Sequence, residues 1–196
     1  MNMVRVTLTI AAALVVLASV PANALSLNPF SAIKGVVEAA VEDRSSGDIA
    51  KDLEINAKIT ANVIDKLGSE VISISADVYE QDVMLTGAVE KPEIKVKAGK
   101  LAAAVAGVKK LYNEILVIVP VDKKKGAVEG FVDDTVVEGK INALLLDGTG
   151  VNVTNFRWRS VQGHVFLFGR AFTNSERDKA AQIVKGIKNV VSVTSR

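Results

Sequence analysis

DVMLTGAVEK at residues 82–91 and HVFLFGRAFT at residues 164–173 decide the fold of this chain. Each is an alternating apolar run closed by a glycine, and each is followed by a stretch with helical periodicity. Each then leads into a closing strand, VAGVKKLYNEILVI at 105–118 and VKGIKNVVSVTS at 184–195. Gly87 aligns with Gly169, and Ala106-Gly107-Val108-Lys109 with Lys185-Gly186-Ile187-Lys188. On that alignment the first copy has three more residues between its glycines, close to one extra helical turn. Self-similarity at this period means two small domains rather than one large one.

Working outward, residues 48–67 place Ile49, Leu53, Ala57, Val63, Ile64 and Leu67 on a helical stripe opposite charges, and Gly68 ends it. VISISADVYE at 71–80 alternates as a strand, with Ile72, Ile74, Ala76 and Val78 on one face. Gln81-Asp82 is then the expected hairpin turn, with a helix over 93–105 and a strand over 108–119. The second copy repeats this order. A helix covers 133–146, strands cover 153–160 and 164–170 around a Gln162-Gly163 turn, Asn174 caps a helix to Lys185, and 190–194 is the last strand. The fold class is α+β: two αββαβ units, each a three-stranded mixed sheet with both helices on one face, because a strand–helix–strand step crosses over right-handed to a parallel neighbour.

Residues 1–24 have a positive start at Arg5, an apolar run from Leu8 to Val20 and the small-x-small site Ala22-Asn23-Ala24, which reads as a secretory signal peptide. Residues 25–47 hold a candidate amphipathic helix at 28–42, with Phe30, Ile33, Val37 and Val41 on one side. The first domain is expected over 48–119, a linker over 120–130 and the second domain over 131–196. With no cysteine in the chain there are no disulfides, no thiol chemistry and no lipid-bearing cysteine. The first domain has nine basic and eleven acidic side chains, the second nine basic and six acidic. A basic second half favours an anionic partner there.

Catalytic chemistry finds no support in the residues. One histidine and no cysteine cannot build a transition-metal site, and no calcium loop pattern is present. His164 belongs to a hairpin turn, Asp147-Gly148-Thr149-Gly150 lacks the Lys-Ser/Thr of a phosphate loop, and Tyr112-Asn113-Glu114 alternates along a strand. The reading is therefore not an enzyme, with no metal and no cofactor.

Two surfaces distinguish the second domain. On its first helix, Val137, Ile141, Leu144 and Leu145 fall on one side, facing the core. Val136, Gly139, Ala143 and Leu146 fall on another, with Lys140 at one edge and Asn142 at the other. A second apolar stripe beside a lysine suits shallow membrane insertion, or else a domain–domain contact. On its sheet, Arg157, Arg159, Phe166, Phe168 and Arg170 share the side away from the helices, where the first domain has Ser73, Ser75, Met84 and Thr86. Such a patch would hold an anionic headgroup or a glycan, or be covered by the first domain or the linker. The exported location argues against nucleic acid.

The strand ending in LTG or LFG, the helix after it and the glycine-hydrophobe-Lys step into LYNEI resemble the BON domain. Two copies behind a signal peptide resemble the dual-BON proteins of Gram-negative envelopes, as does Asp43-Arg44-Ser45-Ser46-Gly47 before the first copy. The resemblance implies a non-catalytic periplasmic protein, peripheral to the outer membrane, that binds anionic phospholipid and supports envelope integrity. It points to the first helix of the second domain as the lipid site, although family lipoproteins have an aromatic residue near the start of that helix where this chain has Val136. It equally fits a soluble osmotic-stress or chaperone-like protein binding polypeptides, or an adaptor of outer-membrane protein assembly.

Overall fold

Helix α1 (Ser46–Leu67) starts where the Ser45 side chain accepts a hydrogen bond from the Asp48 amide, and stops at Gly68 with φ 58°. The computed structural model describes residues 44–68, 74–118 and 132–196. The expected leader, the helix at 28–42 and the linker at 120–130 lie outside the described residues.

Strands β1 (Ser75–Tyr79) and β2 (Asp82–Thr86) form an antiparallel hairpin. Its turn is Glu80-Gln81, one residue earlier than Gln81-Asp82, because Asp82 is already in register with Tyr79. Both turn residues have positive φ, 52° and 66°, as a two-residue hairpin of this hand requires. A short strand β3 (Ala88–Val89) follows, then α2 (Pro92–Ala103) with proline in its first turn. Strand β4 (Lys110–Asn113) lies parallel to β2, and β5 (Leu116–Val117) parallel to β3. The sheet order is β1-β2-β4.

The second copy follows with α3 (Asp134–Leu146), a single 3-10 turn (Val153–Asn155), β6 (Phe156–Val161), β7 (His164–Gly169), α4 (Asn174–Lys185) and β8 (Ser192–Ser195). Its sheet order is β6-β7-β8, antiparallel then parallel. Three details differ from expectation. Residues 153–155 are a 3-10 turn rather than strand, Thr173 rather than Asn174 caps α4, and the last strand begins two residues later.

The copies align without a gap. A constant offset of 82 residues, the separation of Asp77 from Arg159, carries α2 onto α4 and β4 onto β8 end to end. The hydrogen bond from Lys109 N to Gln81 O (2.9 Å) maps onto the one from Val191 N to Gly163 O (2.8 Å). The extra helical turn is thereby corrected: the counterpart of Gly107 (φ 97°) is Asn189 (φ 73°), whereas Gly186 has φ −76° at the end of α4. Asparagine replaces glycine in the left-handed region more readily than other residues, so the position is shared while the letter is not.

Each copy has its own core between its helices and its sheet. In the first, Ile55, Ile59 and Val63 of α1 meet Val83, Leu85, Ala98 and Ile115. In the second, Val137, Ile141 and Leu145 of α3 meet Trp158, Val165, Leu167 and Val184. A third cluster, Tyr79, Met84, Phe166 and Phe168, draws from both copies. All four are outer-face residues, so the two sheets pack face to face and the helices lie outside, giving four layers in the order helices, sheet, sheet, helices.

Candidate functional site on the outer helix of the second copy

Of the two readings of the sheet patch, a binding face or a surface covered by the first domain, the structure shows the second. Phe166 and Phe168 are 4% and 3% exposed, lodged against Tyr79 and Met84, and Tyr112 meets Phe168 edge-on at 6.1 Å. Arg159 makes a two-pronged contact with Asp77, Nε to Oδ2 and Nη2 to Oδ1, both 3.0 Å. Arg170 Nη1 lies 2.9 Å from Glu80 Oε1. The Arg157 guanidinium stands 5.5 Å from the Tyr79 ring centre. All five expected patch residues thus serve the junction. Their types would have suited a headgroup, but an apolar strip this wide on a bare sheet is more stable when covered.

Sequence reasoning missed one further contact across this junction and one within the first copy beside it. Arg196 Nε bonds Glu114 Oε1 at 2.7 Å. Arg44, from the Asp-Arg-Ser segment ahead of α1, pairs with Asp52 and lays its guanidinium 3.9 Å from the Tyr79 ring centre. Asp52 in turn accepts hydrogen bonds from the Glu80 and Gln81 amides, both 2.8 Å, which holds the left-handed turn. Asp134 does the same in the second copy, accepting from Gln162 N at 2.7 Å, Gly163 N at 2.9 Å and Ser160 Oγ at 2.6 Å. Asp52 and Asp134 share a place in the ungapped register, so the signal for this clamp was in the sequence once the offset was known.

The other outward-facing feature is α3, capped by the Asp133 carboxylate on the Thr135 and Val136 amides. Val137, Ile141 and Leu145 are at most 1% exposed, which fixes its inner face. Val136, Gly139, Lys140, Ala143 and Leu146 all lie exposed on the opposite side. Leu144 is also exposed, at 45%, rather than facing the core, while Val136 is 49% and Leu146 63% exposed. A side chain added at Gly139 would meet nothing within 4 Å. The arrangement is an apolar stripe with one lysine on the outermost layer of the more basic copy, able to lie on an apolar or interfacial surface.

Among the described residues no reactive grouping competes with it. His164 Nδ1 is 2.8 Å from Ser192 Oγ across β7 and β8. Lys179 bonds the Thr149 carbonyl in the Asp147–Gly150 segment. Tyr112, Asn113 and Glu114 diverge to Phe168, the Lys95 carbonyl and Arg196 respectively. Among the described residues no three His, Asp or Glu side chains gather as a metal site would need, and no helix is long and apolar enough to cross a membrane.

Comparison with known proteins follows the same division of the chain. The family model for the BON domain matches residues 51–118 and again 133–196. The osmotically-inducible protein Y of Escherichia coli is 30% identical over 147 residues, covering 75% of this chain and 72% of that protein. The outer membrane lipoprotein DolP of Haemophilus influenzae is 28% identical over 159 residues, covering 80% and 72%. A 21 kDa hemolysin of Actinobacillus pleuropneumoniae is 25% identical over 167 residues, covering 85% and 76%.

Proposed function

Because this chain belongs to the BON-domain family, we propose that it is a non-catalytic periplasmic protein that attaches peripherally to anionic phospholipid membranes and supports the integrity of the outer membrane. Val136, Gly139, Lys140, Ala143 and Leu146 form the contact. The observation that carries this reading is the exposure of Val136 and Leu146 on the side of α3 away from its buried face, with Leu144 exposed at the border of that side. Shallow insertion of that face would remove apolar area from water at roughly 25 cal/mol per Å². Lys140 would add about 1 kcal/mol by attraction to an anionic surface. Neither contribution is large, so attachment is reversible and falls with salt. Relatives named an outer membrane lipoprotein and a hemolysin support a membrane role.

Vesicle flotation tests it. Full-length protein should float with anionic vesicles at low salt, less at high salt and little with neutral ones. Leu146→Asp should abolish flotation, and Gly139→Leu should strengthen it. Equal binding to neutral and anionic vesicles, or none to either, would sink the reading. A second reading, a soluble osmotic-stress or chaperone-like protein or an assembly adaptor, draws support from the relative named for osmotic induction. It predicts protection of an unfolding client that Leu146→Asp leaves intact.

A further inference from the structure

The junction between the sheets has an internal symmetry that the two charge pairs expose. Asp77 and Arg159 occupy the same place in the two copies, 82 residues apart, and bond each other. Glu114 and Arg196 are likewise 82 residues apart and bond each other. The apolar filling repeats the pattern, since Met84 and Phe166 correspond, as do Tyr79 and Val161, and all four belong to one cluster. A contact that sets a position against its own counterpart is the mark of an isologous, two-fold interface, here built inside one chain.

Two identical faces could not close this way. Two faces of the first kind would place aspartate on aspartate and glutamate on glutamate, and two of the second kind would place arginine on arginine twice. The side chains of Asp77 and Arg159 are only 10% and 27% exposed, so water would screen little of that repulsion. The first copy carries acid at both self-facing positions and the second carries arginine at both.

We propose that Asp77, Glu114, Arg159 and Arg196 form a pairing code: a sheet face of either copy accepts only the unlike face, and the partner it fits besides its own is the unlike face of a second copy of this chain. Tethering gives the internal partner an effective concentration on the order of millimolar. The native chain therefore closes on itself, and exchange becomes visible when internal closure is blocked. Nothing in this inference depends on membrane binding.

The test uses full-length chains of single-sign junctions. Asp77→Arg with Glu114→Arg makes both faces basic; Arg159→Asp with Arg196→Glu makes both acidic. Each alone should be a monomer with an open junction, seen as a several-fold rise in fluorescence of an apolar-surface dye at unchanged helical content. Mixed in equal amounts they should form a complex of twice the mass and lose the dye signal. The chain with all four substitutions should close alone, as the native chain does. Native dye levels in either single-sign chain would overturn the proposal, as would failure of two folded single-sign chains to associate. If the single-sign chains do not fold, the fully reversed chain decides: closure supports the code, and an open junction refutes it.

Discussion

Helices α1 and α3 bury the same three positions and expose different chemistry beside them. Ile55, Ile59 and Val63 correspond to Val137, Ile141 and Leu145, and all six are at most 5% exposed. On the outer face, α1 has Glu54, Lys58 and Asn62 where α3 has Val136, Lys140 and Leu144. In α1 the lysine bonds Glu54 at 2.5 Å, one turn back. In α3 the lysine keeps its place and that acid is replaced by valine. The inner positions hold the scaffold, so they cannot diverge; the outer ones can, and where α1 exposes Leu53 alone of its large apolar residues, α3 exposes Val136, Leu144 and Leu146.

The largest expected effect breaks the comparison at the helix-to-turn clamp. Asp52→Ala should cost about 4 kcal/mol, because it removes the turn acceptor and also strips the buried Arg44 of its carboxylate. Asp134→Ala should cost about 2 kcal/mol, since it loses three hydrogen bonds to a charged acceptor but leaves no buried cation behind. Urea denaturation measures both. Equal costs would mean that Arg44 contributes nothing to the first copy. Next in size is the junction, where Phe166→Ala should cost about 3 kcal/mol and its counterpart Met84→Ala about 2 kcal/mol, because both sit in the shared cluster with almost no exposure. A negligible loss at either would mean that the sheets do not stay closed.

The order of elements was legible in the sequence because period and punctuation agreed. Val83 and Leu85 alternate with Met84, Gly68 ends α1, and the Gln162-Gly163 turn lies between its strands as expected. The outward stripe of α3 was legible for the same reason, from its angular spacing. The inner face of α1 was misread, since Leu53 is 65% exposed and Ile55 and Ile59, outside the expected stripe, fill the core; what was not legible at all was what the sheet faces meet. Phe166 and Phe168 show that an apolar face exists, and nothing local to β7 says that Tyr79 and Met84 cover it. Leu144 lies near the border of two helical sides, where angle alone does not decide burial.

The register of the two copies was misread through a letter match, and three alanine substitutions sharpen the point. Gly107→Ala and Asn189→Ala should each destabilise by about 1 kcal/mol, because alanine is disfavoured at φ 97° and φ 73°. Gly186→Ala should be neutral or slightly stabilising, since φ is −76° there and an added methyl would meet its nearest neighbour at an ordinary 3.5 Å. If Gly186 behaved like Gly107, the gapped alignment would be restored and the self-facing charge pairs would lose their meaning.

The smallest effect returns to the outer helices. The hydrogen bond from Lys58 holds the Glu54 carboxyl below the usual glutamate range. A carboxyl lowered on folding stabilises the native state above its unfolded value, and that contribution disappears as pH falls through the lower folded value. Glu54→Gln should therefore lower the melting temperature slightly at neutral pH, near the limit of calorimetric resolution because the pair is exposed. The difference between the two proteins should close in acid. The matching substitution Val136→Gln has no ion pair to lose, so its effect on melting should not change over the same pH range. What it should change is flotation with anionic vesicles, which Glu54→Gln leaves alone. If instead Glu54→Gln altered flotation and Val136→Gln did not, the membrane face would belong to the first copy, and the divergence of the outer positions would have the opposite meaning.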